Sequence, residues 1–248
     1  MTTPIRESFI EFMPVSIFGS VMGLCGLSFA WHRAAQLWKV SRVIADVTGY
    51  VAIVSFILLS VCYLLKFIRL RSLVIAEFRS PASIWFFATY IICLLLLTGL
   101  LSSQMPRLAI GIWYIGVLLM LLFASYISRN RLDERQEPEH TMPVWILPIA
   151  VTLNIPIIGN QLPVIGIYEF SLMAFGIGSI FSIVLSKIIL SRLIFQAPAP
   201  VAAQPAHLIL TAPLALAFTV YFQLNGELNI VASSLLYFNL FFWTGPRQ

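Results

Sequence analysis

Few side chains in this sequence are of a kind that does chemistry, and those few do not converge. Cys25, Cys62 and Cys93 form no CxxC pair and no disulfide framework, and each falls within an apolar stretch. Thiols so placed read as small buried hydrophobes. His32, His140 and His207 are scattered, with no second ligand at metal spacing, so no metal site is expected. A membrane enzyme needs polar groups gathered near one interface, and His32, His140 and Glu169 make no such set. Asp46, Glu169 and Lys187 stand near the ends of apolar stretches, where a long side chain reaches water.

What remains is a set of small, helix-distorting and uncharged polar residues. Gly19, Gly23 and Gly26 lie in one apolar stretch, the first two in GxxxG spacing. Such spacing permits close helix packing, or it opens a face toward a pore. A later stretch carries Pro148, Asn154 and Pro156, and another carries Thr211 and Pro213. A proline within a helix removes one hydrogen bond and bends the axis, which can shape a cavity or a constriction. Gly19, Gly23, Gly26, Pro148, Asn154, Thr211 and Pro213 are therefore the pore-lining or kink candidates. Carriers driven by protons or sodium place acids or histidines inside their spans as relays. Here no Asp, Glu, Lys or Arg lies well inside an apolar stretch. A pathway through this chain would be lined by hydroxyls, amides, backbone and apolar groups, and no fixed carboxylate would repel an anion.

The elements that must position these residues are legible from composition. Of 248 residues, 60% are hydrophobic and 10% charged. Soluble domains have about 45–50% apolar and about 25% charged residues. The mean hydropathy is +0.94 and the pI about 9.3. Eight apolar stretches, with a charge at most near one end (Asp46, Glu169), fall at about 13–31, 44–65, 82–103, 108–127, 142–160, 165–186, 206–223 and 228–243, each near the ~20 residues that cross a bilayer as a helix. Helix is required because a lone segment in lipid must satisfy its own backbone. The expected fold class is an all-α integral membrane bundle, with the whole of 1–248 as one transmembrane domain. Ser80-Pro81 reads as the start of span three and Thr141-Met142-Pro143 as the start of span five, while 197–205, rich in Pro and Ala, reads as a linker loop.

Loop charges orient the chain. With the N-terminus inside, the cytoplasmic segments hold Arg6, Lys66, Arg69, Arg71, Arg79, Arg129, Arg131, Arg135, Lys187, Arg192 and Arg247, eleven in all, against Arg33, Lys39, Arg42 and Arg107 outside. The positive-inside rule then puts both termini in the cytoplasm. The net charge of +5 is explained by this asymmetry and calls for no nucleic acid. The bilayer is the first partner. The six tryptophans fall mostly at span ends, where interfacial anchors belong. Among the odd-numbered spans, the first holds Gly19, Gly23 and Gly26, the fifth Pro148 and Pro156, and the seventh Pro213. Spans two, four and eight are rich in Leu, Ile, Val and Phe, which suits an outer, lipid-facing layer.

Several segments together resemble the tellurite-resistance/dicarboxylate transporter family, the TehA-like proteins related to the plant slow anion channels. They are Phe18-Gly19-Ser20-Val21-Met22-Gly23-Leu24 running to Trp31, Asp46-Val47, Ala76-Glu77-Phe78-Arg79-Ser80-Pro81, Leu147-Pro148, Gly166 to Glu169, Phe175-Gly176-Ile177-Gly178, Ala212-Pro213-Leu214-Ala215 and Leu224-Asn225-Gly226-Glu227. The resemblance implies ten helices in five hairpins around a central pore, with kinked odd helices inside. It implies a homotrimer in the cell inner membrane, with no cofactor. The implied activity is passive passage of small inorganic or carboxylate anions, associated with tellurite resistance or efflux of toxic compounds. Eight spans against ten imply that the last two helices, with the phenylalanine that occludes the family's pore, lie outside this sequence. No gate residue is assigned. Val21 stands where the family often has a proline, and Ser186-Lys187 where it often has an acid followed by proline. The alternative to a channel is a truncated, non-conducting paralogue or structural subunit.

Overall fold

The computed structural model describes residues 9–81, 83–131, 143–164, 166–195 and 209–244. Its elements are α1 (Phe9–Phe12), α2 (Phe18–Trp38), α3 (Val43–Arg69), α4 (Arg71–Arg79), α5 (Phe87–Leu101), α6 (Pro106–Arg131), α7 (Leu147–Gly159), α8 (Ile167–Phe195), α9 (Ala212–Asn225) and α10 (Ile230–Thr244). There is no strand among the described residues. Eight of these helices, α2, α3 and α5 to α10, stand where the eight apolar stretches are. Five helical segments are long and apolar enough to cross a membrane: Val15–Trp38, Val43–Arg69, Ile84–Leu101, Pro106–Ile127 and Ile167–Arg192. Ile209–Asn225 and Ile230–Phe241 are shorter apolar helices. The chain is an all-α, multi-pass membrane protein.

The four odd-numbered spans share a local design. Each opens with a tight 3-10 turn that passes into α-helix. The turns are Val15–Ile17 before α2, Ile84–Phe86 before α5, Pro143–Ile146 before α7 and residues 209–211 before α9. Pro148 and Pro213 both sit in the first α-helical turn after their 3-10 segment, where a missing N–H costs nothing. Their effect is thus to fix the junction between two helix types. Pro156 alone of the candidate-span prolines lies in the interior of an α-helix.

The turn between α9 and α10 follows ordinary capping. α9 stops at Gly226, which takes a left-handed conformation (φ 75°) while its N–H bonds the Phe222 carbonyl at 2.8 Å. The Asn229 side chain then accepts the Ala232 N–H at 3.0 Å and caps α10. Span three begins later than Ser80-Pro81 suggests. The Ser80 carbonyl instead accepts N–H bonds from Ser83 and Ile84, and α5 starts at Phe87. The fifth-span start at Thr141-Met142 and the 197–205 linker lie outside the described residues.

By internal packing the chain divides into two compact units, Met1–Leu100 and Leu101–Gln248. In the first, α2 and α3 pack as a hairpin. Buried Ser28 donates its hydroxyl to the Ala45 carbonyl at 2.8 Å, and Gly49 lies directly beneath that hydroxyl. Phe18 is fully buried at the start of α2. Its ring meets those of Tyr90 at 4.9 Å, Phe56 at 5.9 Å and Tyr63 at 6.0 Å, all edge-on. In the second unit α7 packs on α8 and α9, and α9 on α10. Gly178 lets α8 approach α7, since a Cβ there would lie 2.7 Å from Thr152 Oγ1 and 2.8 Å from Leu153. Apolar surface drives little helix association in lipid, so such close contacts and interhelical hydrogen bonds carry the packing. α3 and α8 turn apolar side chains outward, among them Leu58, Ile68, Ile180 and Ile183, whereas much of α5 is buried.

Candidate functional site

Within the first unit, the glycines of α2 leave open space. A Cβ added at Gly19, Gly23 or Gly26 would meet nothing within 4 Å. These three therefore make no close helix contact among the described residues. Ser20, on the same helix, is exposed and returns its hydroxyl to the Ile17 carbonyl at 2.7 Å. The opposite side of α2 is closed by Phe18, Val21, Cys25 and Ser28, all buried. One helix thus carries a packed side and a smooth, open side.

The start of α2 is held by charges that the sequence reading put in water. Lys66, at the end of α3, is buried, and its Nζ lies 3.1 Å from Glu77 Oε2 of α4. The same ammonium donates to the Met13 carbonyl at 2.8 Å. Glu77 is filled on both oxygens: Oε1 accepts the Val15 N–H at 2.6 Å, and Oε2 accepts the Tyr63 hydroxyl at 3.1 Å. The carboxylate thus satisfies a free N–H of the first turn of span one, where negative charge also complements the helix dipole. Lys66 is accordingly not a solvated loop cation but half of an interior ion pair. A signal for it existed in the sequence. Tyr63 and Lys66 share a helix face at i, i+3, and Glu77 is the one acid between Arg71 and Arg79.

In the second unit, α7 bears Asn154, which is buried, and Pro156. Trp113 of α6 donates its indole N–H to the Ile155 carbonyl at 3.2 Å. Thr211 is partly buried, and its carbonyl accepts the Asn239 amide at 2.9 Å, which ties α10 to the 3-10 turn before α9. Pro148 and Pro213 are both buried. Where α7 and α9 end, a polar set appears that the sequence reading missed. Asn160 donates to Gln223 Oε1 at 3.4 Å and accepts the Ser171 hydroxyl at 3.0 Å, and Gln223 Nε2 reaches the Ile157 carbonyl at 3.3 Å. The signal was an amide at the same end of two parallel spans. Trp85 and Trp113 are buried, while Trp38 is exposed.

Among the described residues no group of three or more His, Cys, Asp or Glu could hold a metal. The acids of the spanning helices are Asp46 and Glu169, both in a first turn. Asp46 lies 3.5 Å from His32 Nε2 at an exposed position. The described spans thus present open glycine faces, hydroxyls, amides and aromatic rings, and no acid deep within them.

Comparison with known proteins agrees with this chemistry. The chain is 29% identical over 225 residues to a tellurite resistance protein TehA homolog of Haemophilus influenzae, covering 90% of this chain and 68% of that one. It is 25% identical to the S-type anion channel SLAH2 of Arabidopsis thaliana, covering 94% of this chain and 47% of the plant protein. An uncharacterized transporter of Methanocaldococcus jannaschii is 21% identical, over 96% of this chain and 73% of that protein. The family model described as SLAC1, voltage-dependent anion channel, matches residues 13–245. With that match spanning nearly all of the described helices, the chain belongs to the SLAC1 family of anion channels and transporters.

Proposed function

We propose that this chain forms a passive pathway for small inorganic or carboxylate anions across the cell inner membrane. The observation that carries the reading is the lining chemistry within a channel family: open glycine faces and uncharged polar groups, with no acid deep in a described span. An anion entering such a pathway meets no fixed negative charge and would be stabilised by weak N–H and O–H donors. Weak, repeated sites allow passage, whereas a strong cationic site would retain the ion. The loop charges support a cytoplasmic N-terminus and C-terminus. We assign the working unit as a homotrimer, without a cofactor and without catalysis, and the physiological role as tellurite tolerance or efflux of toxic anions. Reconstitution in liposomes tests the core of this proposal. Chloride or nitrate should leave loaded vesicles faster than from protein-free ones, and equal rates would refute it. Loss of tellurite tolerance on deleting the gene tests the role, and unchanged tolerance would remove it.

A further inference from the structure

An apolar groove of about 360 Å³ opens beside the end of α3, between α3, α4 and the start of α5. Ser60, Tyr63 and Phe67 line it along α3, Ile75 and Phe78 along α4, and Tyr90 from α5. Its volume lies within the ~300–1,000 Å³ of small-ligand sites. From Phe67 to Ser60 it follows one helix face for about two turns, roughly 10 Å. Phe67 and Ile75 are exposed, so the groove is open on its outer side. The Ser60 hydroxyl inside it is buried and has no hydrogen-bond partner among the described residues.

A cation stands at the Phe67 end of the groove. The Arg71 guanidinium stands 6.0 Å from the centre of the Phe67 ring, a lining residue. Arg69 is two residues away, and both arginines are exposed. Neither forms an ion pair among the described residues. The nearby Glu77 carboxylate does not offset them, because Lys66 already neutralises it at 3.1 Å. α4 itself is short, follows directly on a long apolar helix, and is far less apolar than the spans, as a helix lying at the membrane–water boundary is. An apolar trough with an exposed arginine against its Phe67 ring, and a second exposed arginine two residues away in sequence, fits an amphiphile with an anionic head and an acyl tail.

We infer that this groove is a binding site for an anionic phospholipid, with an acyl chain along α3 and the phosphate on Arg69 and Arg71. Basic positions at a membrane surface each favour an anionic lipid by about fivefold. The inference concerns binding and stands whether or not the chain conducts. The test is native mass spectrometry of the full chain, titrated with phosphatidylglycerol or with phosphatidylcholine. The expected result is a preference for phosphatidylglycerol of about tenfold or more. It should fall to near unity in the Arg69→Gln/Arg71→Gln variant. Filling the trough by Ser60→Phe should reduce binding of both lipids, and Ile75→Trp serves if Ser60→Phe does not fold. Inorganic phosphate at millimolar concentration should not displace the lipid. An equal affinity for both lipids, a preference unchanged in the arginine variant, or displacement by inorganic phosphate would each overturn the proposal. So would disulfide cross-linking of Ile75→Cys between two copies with no lipid bound, because a second copy would then fill the groove.

Discussion

Breaking the Lys66–Glu77 pair tests the packing of the first unit. The two side chains are 6% and 13% exposed and their charged atoms are 3.1 Å apart. At an effective dielectric of about 20, that separation corresponds to about 5 kcal/mol of attraction. Desolvation of both ions offsets much of it. Removing one partner leaves the other buried and uncompensated, which costs about 3–5 kcal/mol. Lys66→Met and Glu77→Gln should therefore each destabilise by about that amount. In Glu77→Gln one of the two accepting oxygens becomes an NH2 group, which faces a donor in either orientation, the Lys66 ammonium or the Val15 N–H. The double variant removes both charges, so its cost should fall below the sum of the single costs by at least about 2 kcal/mol. The assay is reversible unfolding in mixed micelles, followed by circular dichroism and tryptophan fluorescence. Single variants within about 1 kcal/mol of the parent, or strictly additive costs, would show that the pair is solvated and the argument wrong.

Glycine substitutions should separate packing from permeation. Gly178→Ala puts a methyl 2.7 Å from Thr152 Oγ1 and should cost about 1–3 kcal/mol, whereas Gly23→Ala meets no atom within 4 Å and should leave stability unchanged or raise it by up to ~1 kcal/mol; thermal unfolding in detergent compares the two. Gly49→Ala sets a methyl 3.0 Å from the Ser28 hydroxyl, so it should destabilise the parent and be tolerated better in a Ser28→Ala background, as a double-mutant cycle would read. Trp113→Phe keeps an aromatic ring but loses the 3.2 Å bond to the Ile155 carbonyl and part of the buried indole, and a loss of at least about 1 kcal/mol is expected from the same unfolding assay.

The bundle was legible because bilayer thickness leaves few options. A run of about 20 uncharged residues must be helix in lipid, and every such run holds one. Helix starts were harder to read. Ser80-Pro81 carries a helix-start pattern, yet α5 starts only at Phe87, directly after the 3-10 segment Ile84–Phe86. Local pattern does not reveal that four spans open through 3-10 turns. The candidate residues were legible as types: the open side of α2 follows from glycines that have no Cβ. Their partners were not, because pairing is a property of space. Lys66 looks like any positive-inside residue until Glu77, eleven positions on, folds back to meet it and to hold the Val15 N–H. Asn160 and Gln223 are 63 positions apart and meet only because α7 and α9 end together. Trp113 sits near a span end, which suggested an anchor, but its indole N–H bonds into α7.

Anion flux is the measurement closest to the central claim. The full chain is reconstituted in vesicles loaded with chloride or nitrate, and efflux is compared with that of protein-free vesicles and of a Gly23→Leu variant. The account predicts efflux above the protein-free rate, lowered by Gly23→Leu in protein that unfolds at the parent temperature. Efflux no faster than from protein-free vesicles, or a flux carried by potassium rather than by the anion, would contradict it.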